Sequence, residues 1–121
     1  MRPPIRVLFV EDDPDMTAIY NENFLEPEFE TATATNGEEA IRVLRAMATP
    51  FDVIVTDNYM PEMDGMALLK TIHFEFPSVK LVMVTGFGNW SDYIEAHNLG
   101  VCKFFDKPVK MSELKGIIRS L

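Results

Sequence analysis

The sequence predicts an α/β fold in which five parallel strands alternate with five helices. Two observations indicate it. Short apolar runs without alternating polar residues recur along the chain, and segments with a helical spacing of apolar residues lie between them. A strand without alternation is typical of a sheet whose two faces are both covered by helices. The repeated strand–helix order therefore predicts a doubly wound parallel sheet with right-handed crossovers.

Three of the predicted strands are strongly apolar and two are weaker. The strong runs consist of β-branched and aliphatic residues, whereas the weaker two have the length of strands at the flanks of a sheet. In chain order the five runs are Ile5 to Val10, Phe29 to Ala34, Val53 to Val55, Leu81 to Val84 and Val101 to Phe105. Cys102, in the last run, is expected to be a buried small apolar residue.

Helices are predicted between the strands because apolar residues recur there three or four positions apart, which places them on one helical face. The clearest sets are Met16, Ile19, Tyr20 and Phe24, then Ala40, Ile41, Leu44 and Met47, then Leu68, Leu69, Ile72 and Phe76. Pro14 is suited to open the first helix, Asn36 to cap the second and Gly100 to follow the fourth. The fifth helix is predicted from about Ser112 to the last residue.

Length and composition limit the class of protein. A chain of 121 residues with 47% hydrophobic and 25% charged residues is expected to form one soluble domain, residues 1–121. The net charge of −8, with eleven Lys and Arg spread along the chain, argues against direct nucleic-acid binding. No apolar run approaches the roughly 20 residues of a membrane helix. The single cysteine and the acidic N-terminal motif argue against secretion, so we expect a cytoplasmic protein.

Polar residues that can carry chemistry directly follow four of the five predicted strands. They are Glu11, Asp12 and Asp13 after the first, Thr56 and Asp57 after the third, Thr85 after the fourth, and Asp106, Lys107 and Pro108 after the fifth. The carboxyl ends of parallel strands lie at one edge of the sheet, where ligands of open α/β folds bind. One polar strand end is ordinary, but four that deliver acids, a hydroxyl and an ammonium group to one edge indicate a functional site.

Electrostatics predicts a cation at this edge. Three carboxylates about 5 Å apart repel pairwise by roughly 3 kcal/mol at an effective dielectric constant of 20, and one lysine offsets only part of that repulsion. Either a carboxyl group takes up a proton or a cation binds. So few oxygen ligands favour Mg²⁺, because Ca²⁺ takes more of them. Zn²⁺ favours His or Cys, which do not cluster in this sequence.

Four separated motifs resemble the response-regulator receiver family in order, spacing and strand context: VLFVEDD, VIVTDNYMPEMDG, LVMVTG and FFDKP. The resemblance covers essentially the whole chain. It implies a flavodoxin-like (βα)5 receiver fold with strand order 2-1-3-4-5. It also implies a phosphoacceptor signalling switch, whose only chemistry is its own phosphorylation and dephosphorylation, and not a turnover enzyme.

The resemblance implies a phosphorylation site with a bound metal ion. Asp57 matches the aspartate that receives the phosphoryl group, a reaction open to an ionised carboxylate that faces a metal-bound phosphoryl group. Glu11 and Asp12 match the acidic pair that holds Mg²⁺, with Asp12 the direct ligand and Glu11 able to act through water. Asp57 and the main-chain carbonyl of Tyr59 match the remaining metal ligands.

The resemblance also implies how phosphorylation is read. Lys107 matches the lysine that pairs with the carboxylate and later with a phosphoryl oxygen, and its bond to Pro108 is often cis in the family. Thr85 matches the hydroxyl residue that moves toward the phosphoryl group. Phe104 matches the aromatic residue that then turns inward, which shifts the population of two existing states. The output face is then the fourth helix, fifth strand and fifth helix, residues 89–121.

Several positions depart from the family pattern. Glu11 replaces the commoner Asp and still supplies an oxygen ligand, whereas Phe104 replaces the commoner Tyr and lacks its hydroxyl. Gly86 stands where alanine is usual, which leaves more room over the phosphorylation site and a looser loop. Tyr59 and Phe87 place large rings beside that site, and we expect them to hinder the attacking water and lengthen the phosphorylated lifetime.

The resemblance implies a sensor histidine kinase or a phosphotransfer protein as partner, with a small acyl phosphate as another donor. An effector domain or a second copy of the chain is a further expected partner, through the output face. Three alternatives stay open: a pseudo-receiver that signals only by docking, a phosphatase with an aspartyl-phosphate intermediate, and a flavin-binding module. The intact set of site residues argues against the pseudo-receiver: Asp12, Asp57, Thr85 and Lys107. The short loops argue against the phosphatase, which usually needs a cap over its substrate. The three acids after the first strand argue against the flavin-binding module, because they would repel its phosphate.

Overall fold

Five strands and five helices alternate along the part of the chain that the structure describes. The structure is a computed structural model, and it describes residues 2–57, 65–86 and 90–121, except for the side chains at 90–92. In order, the elements are β1 Ile5–Val10, α1 Pro14–Asn23, β2 Phe29–Ala34, α2 Gly37–Ala46, β3 Val53–Asp57, α3 Gly65–Glu75, β4 Lys80–Thr85, α4 Trp90–Asn98, β5 Val101–Asp106 and α5 Met111–Ser120. All five predicted strands are confirmed, and β3, β4 and β5 each extend to the polar residue that follows the apolar run.

The strands form one parallel sheet with the order β2-β1-β3-β4-β5, as the family resemblance implies. Strand order reverses beside β1, whose end is paired with both neighbours, Val10 with Ala34 of β2 and with Thr56 of β3. The carboxyl ends of β1 and β3 therefore lie side by side at the point where an open α/β sheet binds its ligands.

Helices cover both faces of the sheet, which explains why the strands do not alternate. On one face, Leu8 and Ile54 pack with buried residues of α2, α3 and α4. On the other face, Phe9 of β1 packs with Tyr20 of α1 and Leu114 of α5, and the Phe9 and Tyr20 rings stack with centroids 4.3 Å apart. Successive residues of a strand therefore enter two different apolar clusters.

Local signals in the sequence place the helix ends. Pro14 is the first residue of α1, and the preceding Asp13 accepts the backbone N–H of Asp15 at 3.0 Å. Asn36 caps α2 by accepting the backbone N–H of Glu39 at 2.8 Å. Gly100 follows α4 with φ of 93°, a left-handed conformation that favours glycine. The predictions at the starts of α1 and α2 and after α4 are confirmed.

The prediction that Cys102 is buried is wrong, because its thiol is exposed. The pairing of β4 with β5 shifts at this point: Leu81 is opposite Val101, whereas Val82 is opposite Lys103. Cys102 is therefore the extra residue of a bulge on an edge strand, and bulges redirect side chains. The apolar run in the sequence does not reveal such a change in the register between two strands.

Helix α5 is tied to the connection between α1 and β2 by two ion pairs. The Lys115 ammonium lies 2.6 Å from Glu26, and the Arg119 guanidinium pairs with Glu28. These contacts hold the pKa values of both glutamates below their usual range, in each case chiefly through the hydrogen bond from the basic side chain. The pairs join segments about 90 positions apart in the chain.

Among the residues that the structure describes, no helix has the length and apolar character needed to cross a lipid bilayer.

We predict that Leu114→Ala, in α5, lowers the free energy of unfolding by about 2–5 kcal/mol. Leu114 is fully buried where α5 packs against the sheet, so truncation of its side chain leaves a cavity. The matched control is Leu25→Ala, since Leu25 is 79% exposed. Urea unfolding followed by circular dichroism measures both variants, and the control should stay within about 0.5 kcal/mol of the original chain. Equal losses in the two variants would contradict this packing.

Candidate functional site

Three carboxylates meet where β1 and β3 end. Glu11 and Asp12 directly follow β1, and Asp57 is the last residue of β3. One carboxylate oxygen from each lies within 4.8 Å of the other two. Glu11 and Asp57 are 4% and 5% exposed, whereas Asp12 is open to solvent. The pairing of β1 with β3 thus brings Asp57 close to acids that are 45 and 46 positions before it in the chain.

Lys107 is the cation of this cluster among the described residues. Its ammonium group donates a hydrogen bond to Oδ2 of Asp57. Its backbone N–H donates to the carbonyl of Thr85 at 3.0 Å, which holds the start of the β5–α5 connection against the end of β4. The bond between Lys107 and Pro108 is cis. The partial burial of Lys107 lowers the pKa of its ammonium, but the hydrogen bond and the charge of Asp57, with smaller effects of Glu11 and Asp12, outweigh that and raise it.

The position of Glu11 in the cluster raises the pKa of its carboxyl group. The pKa of this carboxyl is raised from 4.5 to about 7, chiefly by burial. The hydrogen bond with Asp12 and the charge of Asp57 also raise this pKa, whereas the backbone N–H of Asp13 and the charge of Lys107 lower it. The Asp13 N–H donates to Oε2 of Glu11 at 3.3 Å. A carboxyl group whose pKa is raised in this way loses its proton to solvent more readily when a cation binds nearby, because the positive charge stabilises the carboxylate.

The donor set fits a divalent cation. Three carboxylates face one ammonium group, so two negative charges stay uncompensated when all are ionised. All the donors in this cluster are carboxylate oxygens, which hard cations prefer. Glu11, Asp12 and Asp57 are therefore the residues that would hold such an ion, in agreement with the charge argument from the sequence.

Three of the other predicted site residues lie on β5, at the end of β4 and directly after β4. Thr85 ends β4 and is 2% exposed, Gly86 follows it at the surface, and Phe104 is half-buried on β5. Tyr59 and Phe87, predicted to contact the phosphorylation site, lie outside the described residues. The structure thus brings Asp57 into contact with Lys107 and within 4.8 Å of Glu11 and Asp12, which follow β1, and it places Thr85 on the strand next to β3.

Two features of the site have no counterpart in the sequence predictions. A groove of about 420 Å³ opens beside Glu11 and Lys107, lined by apolar side chains that include Met16, Ile19 and Met111. On the other side, the ring of Phe104 lies edge-on against Tyr93 of α4, with centroids 5.1 Å apart. The helical spacing of Met16 and Ile19 indicates only an apolar face, and no signal in the sequence links Tyr93 to Phe104.

Comparisons with known proteins agree with this geometry. The model of the response regulator receiver domain family matches residues 7–119. The two-component response regulator ORR21 of Oryza sativa subsp. indica is 33% identical over 113 residues, which cover 93% of this chain and 16% of that protein. The chain therefore spans less than a quarter of the length of this curated relative.

Solved structures share the fold. A CheY-like receiver domain protein of Methanospirillum hungatei JF-1 has a TM-score of 0.91 at 24% identity, covering 98% of this chain and 93% of that one. The phosphorylated cyanobacterial phytochrome response regulator RcpA has a TM-score of 0.81 at 24% identity, covering 98% and 91%. With a family match over 113 of 121 residues, and with acids gathered at the ends of β1 and β3, the chain belongs to the response regulator receiver domain family of two-component signalling.

Proposed function

We propose that this domain, residues 1–121, is a phosphoacceptor switch of a two-component phosphorelay. A phosphoryl group passes from the phosphohistidine of a sensor histidine kinase or phosphotransfer protein to Asp57, with Mg²⁺ bound by Glu11, Asp12, Asp57 and the carbonyl of Tyr59. The observation that carries the proposal is the position of Asp57, buried within the acidic cluster and in contact with Lys107. The phosphorylated form in which RcpA was solved supports the same role.

The proposed transfer conserves atoms and charge. An oxygen of Asp57 attacks phosphorus while the bond from phosphorus to the donor nitrogen breaks, and the electron pair stays on that nitrogen. Mg²⁺ held by Glu11, Asp12 and Asp57 would neutralise charge on the phosphoryl oxygens. The ammonium group of Lys107 donates a hydrogen bond to Oδ2 of Asp57 before the transfer. After the transfer it donates to a phosphoryl oxygen, which then carries the negative charge. The domain turns over no other substrate.

The proposed switch runs through Thr85 and Phe104. Phe104 pairs with Met83 across β4 and β5, and Thr85 stands two residues beyond Met83, so all three side chains belong to one face of the sheet. Movement of the Thr85 hydroxyl toward a phosphoryl group on Asp57 leaves space on that face, and Phe104 turns into it. The α4-β5-α5 face then presents a changed surface to an effector domain or to a second copy of the chain.

We predict that acetyl phosphate and Mg²⁺ add one phosphoryl group to the chain, measured as intact mass. Asp57→Asn removes the attacking carboxylate and should abolish the gain, and omission of Mg²⁺ should abolish it as well. Failure of the original chain to gain mass with acetyl phosphate and with a panel of histidine kinases would refute the proposal. The domain would then be a pseudo-receiver that signals by docking.

We predict that Glu11→Gln stabilises the protein when no divalent cation is present. The folded-state pKa of Glu11 is about 7 against 4.5 unfolded. The folded state thus binds the proton more tightly, and stability is lost as pH rises through that window. Relative to the Gln variant, the original chain should lose up to about 3 kcal/mol between pH 4.5 and 7. Urea unfolding at a series of pH values measures this difference.

The matched control for this experiment is Glu22→Gln, at an exposed position of α1. It should follow the original chain at every pH. Added Mg²⁺ should remove the advantage of the Glu11 variant, because the ion binds the ionised carboxylate of the original chain. A pH profile in which Glu11→Gln and Glu22→Gln coincide would contradict the electrostatic account of the cluster.

We predict that residues 59, 86 and 87 set the phosphorylated lifetime. Tyr59→Ala and Phe87→Ala should each speed hydrolysis of the aspartyl phosphate several-fold, because water then reaches it more easily. Gly86→Ala should slow it, since a methyl group there would lie 3.6 Å from Cδ of Lys107, an ordinary packing distance that fills the open space. Intact mass against time, after removal of the donor, gives the rates. Unchanged rates in the two ring variants would refute their role.

A further inference from the structure

The ring of Phe104 has one aromatic neighbour among the described residues, Tyr93 of α4. Their centroids are 5.1 Å apart and the ring planes meet at 74°, an edge-to-face geometry that is favourable beyond the burial of apolar area. Tyr93 itself is half-buried. The contact therefore joins α4 to β5 within the proposed output face.

Phe104 is held between two different environments. On its inner side it packs against the apolar cluster beneath α2, α3 and α4, on the face of the sheet to which Thr85 also belongs. On its outer side a groove of about 510 Å³ lies open, lined by Tyr93, Ile94, His97, Phe104 and Asp106. Ile94 is 47% exposed, so solvent reaches this side. Among the described residues, Tyr93 is the side chain that gives Phe104 an aromatic contact in its present, half-buried position.

We infer that Tyr93 is a positioning residue of the switch: its ring stabilises the present position of Phe104 and so opposes the inward state. The inference rests on the proposed function, in which the phosphoryl group on Asp57 favours the inward state. Tyr93 touches neither the carboxylates nor Lys107 in any contact seen among the described residues. It acts only through Phe104.

The effect on ligand binding follows from linkage. A ligand that binds one of two states more tightly gains affinity when the other state is destabilised. Removing an edge-to-face pair shifts the equilibrium between the states by about 2- to 10-fold. Tyr93→Leu should therefore tighten the binding of a phosphoryl analogue by that factor, although position 93 lies away from the binding residues.

The experiment measures the affinity of beryllofluoride, a phosphoryl analogue, in the presence of Mg²⁺ by isothermal titration calorimetry. Tyr93→Leu keeps an apolar side chain without a ring, and Tyr93→Met carries the same expectation, so the test does not depend on one variant folding. Tyr93→Phe is the matched control, because it keeps the ring and should bind beryllofluoride as the original chain does. Thermal unfolding of each variant confirms the folded state.

A double variant shows whether Tyr93 acts through Phe104. In a Phe104→Leu background the aromatic pair is already lost, so adding Tyr93→Leu should change the beryllofluoride affinity no further. Tightening by Tyr93→Leu and Tyr93→Met, absence of change in Tyr93→Phe and loss of the effect in the double variant support the inference. Unchanged or weaker binding by both Leu and Met variants would overturn it. Failure of the original chain to bind beryllofluoride would instead refute the proposed function.

Discussion

The repulsion among Glu11, Asp12 and Asp57 is the constraint on which the rest of this structure depends. Two of the three carboxylates, Glu11 and Asp57, are almost completely buried, and the ammonium group of Lys107 contacts Asp57. A fold evolved for stability alone would place apolar residues at this junction of β1 and β3, because buried like charges oppose folding. The two apolar clusters on the faces of the sheet compensate for this local cost. The site is consequently suited to take up positive charge.

The parallel sheet explains how a local change of charge can reach a distant surface. Beyond the bulge at Cys102, β4 and β5 are paired from Val82 with Lys103 to Thr85 with Asp106, and the backbone of Lys107 is hydrogen-bonded to Thr85. A rearrangement around Asp57 would therefore act on side chains of two strands whose backbones are joined at the site. Helices α4 and α5 pack on opposite faces of that strand pair, so a rearrangement of the two strands would affect both helices. The ion pairs of Lys115 and Arg119 join α5 to the connection between α1 and β2.

Features governed by local sequence were predictable, and those governed by packing between elements were not. The strands, the caps at Asn36 and Gly100, and the grouping of acids after β1 and β3 follow from apolar runs, turn chemistry and sheet geometry. The strand order came from the family resemblance, since alternation alone does not specify which strands are neighbours. The bulge at Cys102 depends on the register between two strands, and the contact of Tyr93 with Phe104 depends on where α4 sits. Neither leaves a periodic signal.

The bulge on β5 has a practical consequence. Cys102 is the only cysteine of the chain, its thiol faces solvent, and it lies two residues before Phe104 on the same strand. A maleimide fluorophore or a nitroxide spin label would therefore attach at a single, defined position within the proposed output face. Cys102 thus serves as a labelling site in the unaltered sequence. Conformational exchange in this domain can be followed by spectroscopy without introducing or removing a cysteine.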